Sequence, residues 1–201
     1  MIPSAGLGLM TLALLMEQCA PNISPVTLDA IIKTESSGNP YVVANIDDGT
    51  SHKFKSQPEA TRYINALSRD GKRFSAGLMQ IYSGNFPALG LDNNTVFDSC
   101  TNIKAGAKIL TNNYESIKEG NEQEKLNKAL SMYYSGNKTR GLKKEPEYAN
   151  TSYVERVRNK AYKVPALRAE PTNNNRSAIV ENSTKNNTQQ WDIFGDFNNG
   201  N

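Results

Sequence analysis

The sequence predicts a mainly α-helical domain with at most a small β-hairpin. Apolar residues recur at helical spacing in five separate segments, whereas almost no segment alternates with period two. From Pro165 onward the composition shifts to Asn, Thr, Ser and Gln, with too few apolar residues to repay the entropy of ordering a chain. A length of 201 residues then fits one modest domain with appendages: an apolar segment at 1–18, a folded body at 19–164 and a disordered tail at 165–201. An aromatic cluster, Trp191-Asp192-Ile193-Phe194-Gly195-Asp196-Phe197, interrupts that tail.

The first element is the apolar run Ala5 to Met16. Its twelve residues fall short of the roughly 20 that cross a bilayer as a helix, so no stable membrane span is expected. It reads either as a retained first helix or as the core of a signal peptide. No Lys or Arg precedes it and no small-x-small cleavage site follows before Glu17, which favours the retained helix.

Ser24-Pro25 starts the next helix, with a capping serine and a proline at the first turn. Leu28, Ile31 and Ile32 form its stripe, and the following stripe position is Glu35. Ser36-Ser37-Gly38-Asn39-Pro40 ends it. Asn45 to Lys55, with Asp47-Asp48-Gly49 as a turn signal, is a loop or a small hairpin. Ser56 and Glu59 have capping-box spacing ahead of a helix carrying Tyr63, Ile64 and Leu67. Further helices follow from about Asn102 to Tyr114, about Glu122 to Tyr134 and about Thr151 to Tyr162.

Charge and ligand types exclude several functions. A net charge of +3 without a long like-charge run offers no footprint for nucleic acid. His52, Cys19 and Cys100 are the soft ligands and lie far apart in sequence, so no transition-metal site is expected; His52 reads as a loop histidine.

Glu35 is the leading candidate for chemistry, because a carboxylate on an apolar stripe is desolvated and its pKa rises toward that of a useful general acid. A glutamate at a helix end is ordinarily solvated. Its context argues otherwise: Glu35-Ser36-Ser37-Gly38-Asn39-Pro40, then Ser75-Ala76-Gly77-Leu78-Met79-Gln80-Ile81, then Tyr133-Tyr134-Ser135-Gly136-Asn137. Together and in this order the three segments resemble the lysozyme-like lytic transglycosylases over about Cys19 to Tyr162. More narrowly, Cys19-Ala20-Pro21, Phe97-Asp98-Ser99-Cys100 and the segment Asn85 to Leu91 resemble the VirB-type transglycosylases of type IV secretion and conjugation machines.

The resemblance implies an α+β lysozyme-like fold, peptidoglycan glycan strands as substrate and Glu35 as catalytic acid. It implies that Ser36, Ser75, Gly77, Leu78, Met79, Gln80, Tyr133, Tyr134, Asn137 and Tyr153 line the sugar cleft. Several have plainer readings too: Leu78 as core, Gly77 as a bend, Ser75 as a turn residue, and Tyr133 or Tyr153 as packing aromatics. The family tyrosine that supports the glycosyl transition state maps to Tyr133. This chain has Tyr134 where the family has asparagine, so either tyrosine fits that role. A disulfide between Cys19 and Cys100 is implied as well, in keeping with an envelope enzyme in an oxidising compartment.

Most glycosidases need two carboxylates. Glu35 is the one well-placed acid, and Asp47 and Asp48 are the alternatives for a second, though adjacent acids in a turn are usually solvated. A single acid suits the lytic route, which forms a 1,6-anhydromuramic product without water and needs no cofactor. The expected setting is the periplasm or cell envelope, as a monomer that meets secretion components through the tail. The competing expectations are a hydrolytic muramidase related to goose-type lysozyme, and a peptidoglycan-binding assembly factor without catalysis.

Overall fold

In the computed structural model the described residues are 12–161. The expectations for residues 1–11, for Tyr162 and for the tail with its Trp191–Phe197 cluster lie outside them.

Helix α1 (Leu12–Cys19) buries Met16 and Cys19 and packs on α2 (Pro25–Glu35) and α5 (Ser99–Glu115). Pro25 starts α2 as expected, with Ser24 at the N-cap position but without the side-chain cap bond expected of it, and Leu28, Ala30, Ile31 and Ile32 are fully buried. Its end is built by Ser36, whose backbone N–H and hydroxyl both donate to the Ile32 carbonyl, while the Gly38 N–H donates back to the Ser36 hydroxyl. Ser37 and Gly38 are both left-handed (φ +56° and +81°), which turns the chain away directly after Glu35.

The segment after that turn is a hairpin, β1 (Val42–Asn45) with β2 (Thr50–Lys53), in the register Val43 opposite His52. The β part is larger than the hairpin the sequence predicts. Strands β3 (Phe74–Ala76) and β4 (Ile81–Tyr82) extend it to an antiparallel sheet ordered β2-β1-β3-β4. Three-residue and two-residue strands are too short to display period two, and they form by pairing in turn, β3 on the free edge of β1 and β4 on the edge of β3.

Between the two halves of the sheet runs α3 (Gln57–Arg69), with Ile64 and Leu67 buried and Tyr63 half-buried. The capping box expected at its start does not form. Ser56 is the N-cap but makes no side-chain cap bond, and the Glu59 carboxylate accepts the N–H of Lys55, one residue earlier, in place of that of Ser56. The short helix α4 (Phe86–Leu89) follows β4, and α5 begins at Ser99 rather than Asn102 because Asp98 caps it through the Thr101 N–H at 2.8 Å. Helix α6 (Glu122–Ser135) has a full capping box of Asn121 and Glu124. Helix α7 (Tyr153–Lys160) starts two residues later than expected, at a second capping box of Ser152 and Glu155.

Helices α5 and α6 pack together, and α2 packs against α7. One core links them, with Leu28, Ile31, Ile32, Ile64, Ile103, Leu130, Val154 and Val157 buried in it. Cys19 and Cys100 form a disulfide that fastens α1 to the start of α5. Among the described residues no helix is long and apolar enough to cross a membrane.

Candidate active site

The end of α2, the β3–β4 turn, α6 and the start of α7 bring the candidate residues together around Glu35. Glu35 as a whole residue is half-buried. Desolvation is the largest influence on it and pushes its pKa up to about 7, against opposing pulls from the Tyr153 hydrogen bond and the Arg156 charge. The Tyr153 hydroxyl donates to Glu35 Oε1 at 2.5 Å. Tyr153 is buried, and its own ionisation is pushed well up by burial first and by Glu35 second, so it stays a donor.

The turn between β3 and β4 is built around Asn102. This buried side chain accepts the Met79 N–H at 2.8 Å and donates to the carbonyls of Ala76 (3.1 Å) and Val96 (2.8 Å). Gly77 is left-handed (φ +87°), and a Cβ there would lie 2.1 Å from the Asn102 amide nitrogen, so glycine is required on both grounds. Gln80 is left-handed too (φ +47°), and its amide donates to the carbonyls of Val42 (3.0 Å) and Gly77 (2.9 Å). Those bonds hold Gln80 against β1. Leu78 and Met79 are buried, and Met79 fills the space that Gly106 leaves open on α5.

Tyr133 donates its hydroxyl to the Met79 carbonyl at 2.7 Å, tying α6 to this turn. Its pKa is raised by burial and then by the charge of Glu35, which places it in the same electrostatic neighbourhood. Of the two adjacent tyrosines, neither makes the bond to Glu35; Tyr153 does. Tyr134 instead stacks on the Tyr153 ring, centroids 4.6 Å apart and planes 11° from parallel, and donates its hydroxyl to Glu145 at 2.7 Å. Arg156 donates to the other Glu145 oxygen at 2.8 Å and to the Thr151 carbonyl, and its guanidinium lies 3.9 Å from the Tyr148 ring centroid.

The remaining candidates have local roles of their own. Ser36 is buried and committed to the helix end. Ser75, half-buried on β3, stands opposite Ala44 on one side and Tyr82 on the other. Asn137 is exposed after α6, where its side chain accepts from the Thr139 and Arg140 backbone and its carbonyl accepts from Ser131. Asp47 and Asp48 are held elsewhere: Asp47 accepts from Arg73 through its backbone and guanidinium, and Asp48 from Lys72 and Asn45. His52 is exposed beside Tyr63.

Asn102, Glu145 and Arg156 are the members of this arrangement that sequence reasoning missed. Asn102 left a faint signal, a polar residue one helical turn before Gly106 on the face that receives Met79. Glu145 left none, because the segment that carries it has no period.

A family model described as "Transglycosylase SLT domain" matches residues 13–154. The chain is 37% identical over 146 residues to the "Type IV secretion system protein virB1" of Brucella abortus biovar 1, a match covering 71% of this chain and 60% of that protein. It is 31% identical over 182 residues to "Protein virB1" of Agrobacterium fabrum (90% of this chain, 69% of that protein), and 32% over 184 residues to "Protein virB1" of Rhizobium radiobacter (90% and 70%). The chain spans about 60% of the length of the Brucella relative. No solved structure matches at comparable significance.

Proposed function

Because the chain belongs to the transglycosylase SLT domain family, we propose that it is a peptidoglycan lytic transglycosylase with Glu35 as its catalytic acid and base. The observation that carries this reading is the Glu35 carboxyl, on a half-buried residue, pushed up to about 7 and held by the Tyr153 hydroxyl. A group with that pKa is close to evenly divided between acid and base near neutral pH, which suits a residue that must give a proton and then take one.

In this mechanism Glu35 protonates the oxygen that joins N-acetylmuramic acid to N-acetylglucosamine as the bond to C1 breaks. The resulting carboxylate accepts the proton of the muramic C6 hydroxyl, whose oxygen closes on C1. The 1,6-anhydro sugar leaves, Glu35 is again protonated, and no water is consumed. No cofactor takes part. Tyr153 orients the carboxyl, and its bond strengthens as charge appears on Glu35 between the two steps. Half-buried Gln80 forms the wall against which the sugar rests, with Ser75, Tyr134 and Asn137 toward the rim, and buried Met79, its backbone tied by Asn102 and Tyr133, supports that wall from behind. That Asp47 and Asp48 are committed to Arg73 and Lys72 favours the lytic route over hydrolysis, which needs a second carboxylate beside the acid.

The printed name of the Brucella relative supports a setting in type IV secretion, and in this reading, which extends to conjugation machines, the enzyme opens the wall locally in the cell envelope for assembly of the apparatus. Contact with that apparatus through the tail belongs to the same reading. Loss of partner pull-down on deleting residues 189–201 is its expected result, and unchanged pull-down removes the tail from it.

Mass spectrometry of muropeptides released from purified peptidoglycan, with Glu35→Gln run alongside, tests the activity. Products one water lighter than hydrolysis products, released by the wild type and at least about 100-fold more slowly by the variant, are expected. Reducing-end products would establish hydrolysis instead, and no release by the wild type would favour the assembly role.

A further inference from the structure

Tyr134 puts an aromatic ring with a hydroxyl beside the acid's partner, and such a side chain needs both a packing partner and an acceptor when it is part-buried. It has found both. Its ring lies flat on Tyr153 and its hydroxyl is anchored on Glu145. Glu145 is fixed in turn, its second oxygen held by Arg156 and its backbone bridged to Thr151. Arg156 closes the circuit by donating to the Thr151 carbonyl and lying over Tyr148. Both side chains of this ion pair are largely buried, at 14% and 18% exposure, so the pair is not a mobile surface contact.

From this circuit we propose that the Glu145–Arg156 pair is a positioning device for Glu35, fixing the Tyr134 ring so that it clamps Tyr153 with its hydroxyl on the acid. The proposal rests on Glu35 being the acid. Among the described residues the Tyr153 side chain has one hydrogen bond, to Glu35, and a single bond sets the distance of the buried ring from the acid but leaves it some freedom of tilt. A parallel ring 4.6 Å away removes that freedom, provided the second ring is itself held. Glu145 holds it. Burial alone would raise the Glu145 carboxyl, but bonds from Tyr134 and Arg156 outweigh burial and keep it below its ordinary value, hence charged and able to accept.

The pair has a second effect that a purely structural contact would lack. The groups acting on Glu35 are Tyr153 and Arg156 on α7 and Tyr133 on α6; Arg156 carries the charge. Glu145 offsets that charge. Neutralising Glu145 therefore exposes Glu35 to a stronger positive field and lowers its pKa, whereas neutralising Arg156 raises it.

The test compares wild type, Glu145→Gln, Arg156→Gln, Arg156→Lys and Tyr134→Phe, each checked for folding by circular dichroism. Two readouts are taken: the pH profile of muropeptide release, and the titration of the Glu35 carboxyl by NMR without substrate. The expected result is opposite movement of the alkaline limb, to lower pH in Glu145→Gln and to higher pH in Arg156→Gln, with Arg156→Lys restoring the wild-type position. Tyr134→Phe keeps the stack and loses the anchor, so kcat falls by about tenfold, the scale of a misplaced catalytic group. Limbs that do not move, or that move the same way in both charge variants, overturn the proposal. So does an unchanged kcat in Tyr134→Phe. If the wild type releases nothing, the functional reading fails, while the NMR titration still decides between opposite shifts and none. Should Arg156→Gln not fold, Glu145→Gln and Tyr134→Phe carry the decision.

Discussion

Tyr153 reaches Glu35 across 118 positions of sequence, and its hydroxyl lies 2.5 Å from the carboxyl oxygen it serves. The bond joins the first residue of α7 to the last residue of α2, two helices that pack side by side. The site is thus a property of the packed core rather than of a loop.

Replacing Tyr153 by Phe removes a bond that favours the charged carboxylate, so the Glu35 pKa rises above about 7. The alkaline limb of the rate profile then moves to higher pH while kcat falls, by about tenfold on the scale of lost orientation. A pH–rate series on the purified variant measures both, and a limb that moved down would contradict the assigned bond.

Glu35 also makes stability depend on pH in a definite sense. Its pKa is raised from 4.5 to about 7 in the folded state, so between those values the folded protein holds more protons than the unfolded chain and stability falls as pH rises. Glu35→Gln removes that loss. The variant should be more stable than the wild type at pH 8, by roughly 3 kcal/mol, with the difference vanishing near pH 4. Urea denaturation at the two pH values reads this directly; equal differences at both would show that Glu35 does not titrate in that window.

Asn102→Ala leaves the Met79 N–H and two backbone carbonyls without partners beneath the β3–β4 turn. A loss of about 3 kcal/mol or more is expected, since each buried unsatisfied group costs about 1 to 3 kcal/mol. Activity should fall together with stability, because Met79 and Gln80 hang from this residue. A variant with wild-type denaturation midpoint would mean that solvent reaches the turn.

The disulfide closes a loop between residues 81 apart, and in the chain-entropy model its removal costs about 4 to 5 kcal/mol. A Cys19→Ala, Cys100→Ala double variant compared with oxidised wild type in urea tests the size. Because the bond fastens α1 to α5 and neither bears the acid, the Glu35 titration should be unchanged in whatever fraction remains folded.

Much of this arrangement was legible in the sequence, for reasons that differ by residue. Glu35 stood out because it continues the stripe of Leu28, Ile31 and Ile32, and the structure keeps it on that face. The Ser36-to-Pro40 terminator worked because its chemistry is local. Tyr153 could be read as packing or as site, and the structure gives it both roles in one side chain, buried and bonded to the acid. Strands β3 and β4 were invisible, since only pairing makes them strands, β3 on β1 and β4 on β3. Glu145 was invisible for a related reason: its meaning comes from Tyr134 and Arg156, each 11 positions away, and no pattern within its own segment encodes that meeting.

Both amide hydrogens of Gln80 are already engaged with the carbonyls of Val42 and Gly77. The side chain therefore presents lone pairs and no proton to anything that lies against it. Such a surface discriminates by polarity: an amide N–H or a hydroxyl is welcome there, and a bare carbonyl or carboxylate is turned away.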